Sequence, residues 1–230
     1  MKTTSAKALA KSVALAIGML AGASAHADVT VGVANSNNCF PFSCNFGAPT
    51  TGQSYDYLQI FSASAFTGKT TFDSIAFFDT VIPGAHLAEG TYDITFSTTT
   101  APLGSWYGAI PRANTATFFD GTVSGSAAST LTFNGSSYTY DPTAGNLVME
   151  VVVTNQANGF FGALDADGSG AYLSRAYQIT NESGVIGGDD VGVVTRFGTT
   201  SPVPESSNAA LLLVGLAAVG FTLRRRSVGA

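Results

Sequence analysis

The stretch "TYDITFS", residues 91–97, puts Tyr92, Ile94 and Phe96 on one parity and Thr91, Asp93, Thr95 and Ser97 on the other. Side chains alternate faces along a strand, so this pattern predicts a strand with one buried and one wetted face. The same alternation runs through Val29, Val31 and Val33, and further strands are predicted at 55–62, 72–78, 115–119, 146–154, 173–180 and 191–197. The run from Leu147 to Thr154 is apolar on both parities except at Glu150 and Thr154, which predicts a central strand. In "LTFNGSSYTY", residues 131–140, Asn134-Gly135 is the favoured pair for a two-residue type I′ turn and predicts a hairpin of 129–133 with 136–140. Short strands separated by Gly, Pro, Asn and Asp predict an all-β fold, an antiparallel β-sandwich or jelly roll. No fixed period suggests a solenoid or propeller.

The two ends of the chain read differently. Residues 1–27 carry Lys2, Lys7 and Lys11, an apolar stretch from Val13 to Ala23, and Ala25-His26-Ala27 as a small-x-small cleavage site. This is the pattern of a secretory signal peptide, read by the Sec translocon, and it predicts a mature chain beginning near Asp28 outside the cytoplasm. From Ala209 to Leu223 the chain is uncharged and mostly aliphatic, at the lower edge of a membrane span, and Arg224, Arg225 and Arg226 follow it. The positive-inside preference would hold those arginines on the cytoplasmic side. The chain therefore divides into a signal peptide at 1–27, an exported β domain at 28–201 and a C-terminal segment at 202–226.

Val203, Pro204 and Glu205, a short apolar helix and a terminal arginine cluster together resemble the PEP-CTERM sorting signal of Gram-negative bacteria, although the family's second proline is Ser206 here. The resemblance implies that an exosortase, a membrane transpeptidase, cleaves the chain near the Pro-Glu motif. The C-terminal helix would then be a temporary membrane anchor, and the product would reach the cell surface or the exopolysaccharide matrix. The segments "NSNNCFPFS", "GNLVMEVVVTN", "SRAY" and "GVVTRFG" also resemble a recurrent exported domain found with this tail. The role implied is structural or adhesive and linked to exopolysaccharide or biofilm, with a carbohydrate-binding module as the alternative.

Within residues 28–203, Lys69, Arg112, Arg175 and Arg196 face eleven aspartates and three glutamates, a net charge of −10. Nucleic acid is a poor partner for such a surface, because phosphate binding needs clustered cations. Cys39 and Cys44 are the only cysteines and enclose "FPFS". In an oxidising compartment they predict a disulfide stapling the loop after the first strand, worth about 2 kcal/mol by loop entropy.

Three features bear on chemistry. Asp165, Asp167 and Ser169 occupy positions one, three and five of a calcium-type loop with Gly170 at six, but Ala176 stands where a closing glutamate is needed. Calcium is thus a possible ligand, and the same residues serve equally as a strand connector through Asx-turns. His86 is the one histidine of the exported domain, and no G-x-S-x-G elbow accompanies it. Glu89, Glu150 and Glu182 are the carboxylates from which a glycosidase pair would be drawn. No local cluster supports catalysis, and the expectation is a non-enzymatic protein. Trp106-Tyr107, in the Gly/Pro-rich "PLGSWYGAIPR", either stacks on a sugar ring or closes one end of the core. Of Phe118-Phe119 and Phe160-Phe161, one member of each pair should face inwards.

Overall fold

A computed structural model of the chain describes residues 28–42, 54–80, 90–123, 130–154, 163–180 and 185–198. Thirteen strands lie within these: β1 (Val29–Val31), β2 (Ser36–Asn38), β3 (Ser54–Phe61), β4 (Thr70–Phe78), β5 (Gly90–Thr99), β6 (Ala113–Val123), β7 (Thr130–Tyr140), β8 (Asn146–Thr154), β9 (Leu164–Asp167), β10 (Leu173–Thr180), β11 (Val185–Asp189), β12 (Gly192–Val193) and β13 (Thr195–Gly198). The stretch 91–97 lies inside β5 with Tyr92, Ile94 and Phe96 fully buried, as its alternation requires. The protein is all-β, and the strand pairs are antiparallel.

Three sheets result. One has the order β1-β13-β4-β7, a second β11-β10-β3-β8-β5-β6, and a small third β12-β9-β2. The first two share one hydrophobic cluster. Phe72 on β4 meets Phe96 on β5 edge-on at 4.9 Å between centroids, and Phe197 on β13 meets Phe61 on β3 at 5.0 Å. Each such pair adds about 0.5–1.5 kcal/mol beyond its buried area, so this dense ring network is a main stabiliser. Phe40 and Phe42 enter the same core from the loop after β2. Phe40 meets Tyr57 and Tyr177 edge-on, and Phe42 packs at 4.7 Å from Phe77. The loop of the cysteine pair is thus also a hydrophobic plug. The Cys39 sulfur is disulfide-bonded, while Cys44 lies outside the described residues.

β8 lies between β3 and β5, the central place its double-sided apolar run predicts, with Leu147, Met149, Val151 and Val153 buried on one face and Val148 on the other. Its second face, with Leu58, Ile60 and Ala176 from neighbouring strands, is covered by Ala101 and Ile110 of the segment after β5.

The hairpin at Asn134-Gly135 is not there. β7 runs unbroken through it, and both halves pair with β4, Leu131 with Phe77 and Tyr138 with Phe72. Between Asn134 and Tyr138 the register shifts, so the inward parity changes from Leu131 and Phe133 to Tyr138 and Tyr140. A bulge of this kind inserts extra residues without reversing the chain. A second irregularity corrects the reading of Phe118-Phe119. Ile94 pairs with Phe119 and Thr95 with Thr117, leaving Phe118 as the extra residue. Both rings consequently reach the core, Phe118 against Phe96 and Phe119 against Phe133.

The predicted signal peptide, the Val203-Pro204-Glu205 and Arg224-Arg225-Arg226 segment, His86, Glu89, Glu182 and Phe160-Phe161 lie outside the described residues. Among the described residues no helix is long and apolar enough to cross a membrane.

Candidate functional site

Residues 100–112 cross the outer face of the six-stranded sheet between β5 and β6, and their own sequence fixes how. Ala101 and Ile110 bury their side chains at the two ends. The Ala101 N–H donates to Thr99 Oγ1 at 3.1 Å, and Asn146 Nδ2 donates to the Ala101 carbonyl at 2.9 Å. Gly104 takes φ of +76°, a conformation that favours glycine, and its N–H donates to Ser174 Oγ at 2.9 Å. A single turn of 3-10 helix, Tyr107–Ala109, is closed by the Ala109 N–H on the Trp106 carbonyl at 2.8 Å.

This scaffold separates the adjacent aromatics. Tyr107 leans onto the sheet beside Leu103, and its hydroxyl donates to Asp56 Oδ2. Trp106 does not close the core, since 61 % of its surface is exposed. The segment buries Ala101 and Ile110 and leaves the chain's one tryptophan largely in solvent.

Beneath the segment lies a polar group that composition alone does not reveal. Asp56 on β3 and Glu150 on β8 sit diagonally across the ladder, because Asp56 pairs with Val152 and Leu58 with Glu150. Glu150 is ion-paired with Arg112 and accepts from Thr95 Oγ1 at 3.2 Å. Burial pushes the Asp56 carboxyl up to about 6; the Tyr107 hydroxyl opposes this and the Glu150 charge adds to it. Asp93 is raised too, by burial and then by the charges of Asp120 and Glu150. Burial pulls Arg112 down, but the Glu150 carboxylate more than offsets it and holds the guanidinium above its usual value. The Tyr107 phenol is pushed up by burial and by its bond to Asp56, so it stays protonated and keeps donating. Chemically this is an anchor. A permanent donor on the loop meets a carboxylate on the sheet, and Arg112 balances the charge.

Burial of the Asp56 carboxyl makes stability depend on pH. The folded Asp56 carboxyl titrates near 6 against 3.8 for an ordinary aspartate, so its stabilising contribution is complete below about pH 4 and is lost as pH rises through 6. The full shift would amount to about 3 kcal/mol, and partial solvent exposure reduces it to about 1 kcal/mol. Asp56→Asn is expected to flatten this part of the profile between pH 4 and 6.5 while keeping an acceptor for Tyr107. Urea unfolding at four pH values measures it, and an unchanged slope would remove Asp56 as its source.

The first part of the Asp165–Ser169 stretch is strand, and its carboxylates are engaged with neighbouring backbone and side chains. Asp165 and Asp167 belong to strand β9 and are 3 % and 1 % exposed. Asp165 accepts from the Thr80 N–H at 2.9 Å and the Thr80 hydroxyl at 2.5 Å. Asp167 accepts from Val33 N–H, Asn35 Nδ2 and Ser169 N–H. Their lone pairs hold neighbouring strands and turns in place, and among the described residues no group of three or more His, Cys, Asp or Glu side chains is arranged to hold a metal ion.

Of the residues singled out from sequence, the structure brings Trp106, Tyr107 and Glu150 into one region. Sequence reading missed Asp56 and Arg112 there. In "YDYLQI" the parity of Asp56 is shared by Leu58 and Ile60, and two apolar neighbours on the supposedly wet face signal that it is covered. Comparison with protein-family models, curated proteins and solved structures finds no match to this chain.

Proposed function

We propose that the protein is an exported, non-enzymatic antiparallel β-sandwich that adheres to extracellular polysaccharide at the cell envelope, with Trp106 as the stacking platform. The observation that carries this reading is the exposed indole on a segment pinned at both ends. Flat aromatic faces suit the C–H faces of sugar rings, and a platform fixed beforehand loses little entropy on binding. The Arg112–Glu150 pair in the same region as Tyr107 offers polar groups to ring hydroxyls. The scarcity of cations, four in residues 28–203, also favours a neutral or hydroxyl-rich partner over nucleic acid.

Export and sorting belong to the same proposal. The signal-peptide pattern at 1–27 and the likeness of Val203-Pro204-Glu205 with Arg224-Arg225-Arg226 to an exosortase signal support delivery through the inner membrane and release from a transient anchor. Pairing of Cys39 with Cys44 fits an oxidising destination, and Cys39 is already disulfide-bonded. Intact mass of the protein from the culture medium should correspond to a chain from Asp28 to near Glu205, and Glu205→Ala should leave the precursor uncut in the membrane. A secreted product still carrying the arginines would overturn the sorting route.

Adhesion itself is tested by retention on the exopolysaccharide of the exporting cells. Trp106→Ala is expected to weaken retention at least tenfold, the loss of a central tryptophan contact, while shifting the melting midpoint by no more than about 2 °C. Undiminished retention would end the role assigned to Trp106.

A further inference from the structure

A groove of about 260 Å³ lies elsewhere on the molecule, between the chain leaving β1, the turn Ala63–Ala65 and Tyr172. Its walls are built from three separate pieces of chain, each fixed. Gly32, with φ of +98°, bends the backbone out of β1 so closely over β10 that a Cβ there would stand 2.8 Å from Leu173 Cδ2. Immediately after the bend, the Val33 N–H donates to Asp167 Oδ2 at 3.0 Å. Burial raises the Asp167 carboxyl, and the bonds from Ser169, Val33 and Asn35 more than reverse this, so it remains an anionic anchor. On the opposite side, the Ser62 N–H donates to the Tyr172 carbonyl at 2.8 Å and the Ala63 N–H to Asn146 Oδ1 at 2.9 Å.

The exposed surface of this groove is unusual for the molecule. Five large apolar residues are exposed among the described residues, and two of them, Val33 at 65 % and Tyr172 at 46 %, line it. Anchoring through Asp167 holds Val33 outward when no local packing requires it. Among the described residues the Tyr172 ring makes no aromatic contact and its hydroxyl no hydrogen bond, so the exposed part of the ring is open to a ligand. Hydroxyls of Thr30 and Ser64 complete the rim, and Ser64 is oriented by its 2.8 Å contact with the Ser62 hydroxyl. Among the described residues no charged side chain lines the groove.

From these features we infer a second saccharide site, in which the Tyr172 ring and Val33 methyls cover one face of a neutral sugar ring and the Thr30 and Ser64 hydroxyls meet its hydroxyl groups. The absence of cations at the rim disfavours phosphate and uronate. The volume falls just below that of sites for drug-sized ligands, which suits one ring of a longer chain. The inference rests on the reading that the protein adheres to polysaccharide. It adds that one chain offers two separate contacts, so that two weak sites together hold a polymer by raising effective concentration.

Saturation-transfer NMR with millimolar cellobiose and maltose, and galacturonate as the charged control, tests this on protein purified after expression of the whole chain. In the Trp106→Ala background, transfer to ring protons of a neutral disaccharide should persist. Adding Tyr172→Ala should reduce it at least fivefold, Tyr172→Phe should retain most of it, and neither should move the melting midpoint by more than about 2 °C. The groove is overturned if wild type shows no transfer, if only galacturonate responds, if Trp106→Ala alone abolishes transfer, or if Tyr172→Ala changes nothing. The two sites fail separately. Full polysaccharide retention by Trp106→Ala with loss in Tyr172→Ala would remove the loop platform and leave the groove standing.

Discussion

Gly135→Ala is expected to destabilise the protein by about 3 kcal/mol, a large cost for adding a single methyl group. The reason is the crossing of β6 and β7. A Cβ on Gly135 would lie 2.2 Å from the Phe118 carbonyl oxygen and 2.8 Å from two atoms of the Phe118 ring. The ring cannot swing away freely, since Phe118 packs against Phe72 and Phe96 in the core. The obstructing oxygen belongs to the bulged residue of β6, held on either side by the pairing of Thr117 with Thr95 and of Phe119 with Ile94. Overpacking of this kind costs about 1–3 kcal/mol, and displacing a backbone that two strands share puts this case at the upper end. Gly68, whose Cβ would meet nothing within 4 Å, supplies the control, and Gly68→Ala should change stability by less than about 0.5 kcal/mol. Gly135→Asn separates the strand from the hairpin that the dipeptide suggests. A type I′ turn would accept asparagine at positive φ with little loss, whereas the crossing should make it at least as harmful as alanine. Urea midpoints of the three variants decide the matter, and a near-neutral Gly135→Asn would restore the hairpin.

The misread dipeptide shows where sequence is informative and where it is not. Alternation located β5, and apolar runs of strand length located β3, β4, β8 and β10, because burial on one face or on both is written into the run itself. Asn134-Gly135 carries the local signature of a turn, but here glycine serves a close approach by Phe118, a residue distant in sequence. Nothing within the decapeptide distinguishes these two uses of a missing Cβ. β9 escaped for a related reason. "LDAD" reads as a polar loop, yet its carboxylates are buried because Thr80, Val33 and Asn35 arrive with donors. At the candidate site, Trp106 and Tyr107 stood out as a loop pair, but the opposite fates of the two rings depend on Asp56 waiting for one of them.

The second large effect is expected at Gln59, a fully buried amide on β3 whose hydrogen bonds tie all three sheets together. Gln59 Oε1 accepts from the Tyr57 hydroxyl at 2.6 Å and from the Val193 N–H at 2.8 Å, and Gln59 Nε2 donates to the Val193 carbonyl at 2.8 Å. The side chain thus imitates a neighbouring strand for β12, while Thr195 on β13 closes the set by donating to the same carbonyl at 2.9 Å. Space is tight around it. A Cβ on Gly192 would be 3.0 Å from the Gln59 amide carbon and 2.5 Å from Leu173 Cδ1. Gln59→Leu fills a similar volume but strands the Tyr57 hydroxyl and the Val193 N–H in a dry interior, at about 1–3 kcal/mol for each orphaned group. The apolar area gained returns little, because the site is already closed to water. The expected loss is about 4 kcal/mol, or roughly 10 °C in melting midpoint for a domain of this size. Gln59→Glu keeps the shape and both acceptors but removes the donor to Val193 and Thr195, and places an ionisable carboxyl where burial disfavours its charge. Its folded carboxyl should titrate well above the unfolded one, so this variant should recover stability as pH falls from 7 towards 4, whereas Gln59→Leu should show no such added recovery relative to wild type. Thermal melts of the two variants across that range measure both effects. Equal losses at every pH would mean that the cost lies in packing and that the amide network contributes little to holding the sheets together.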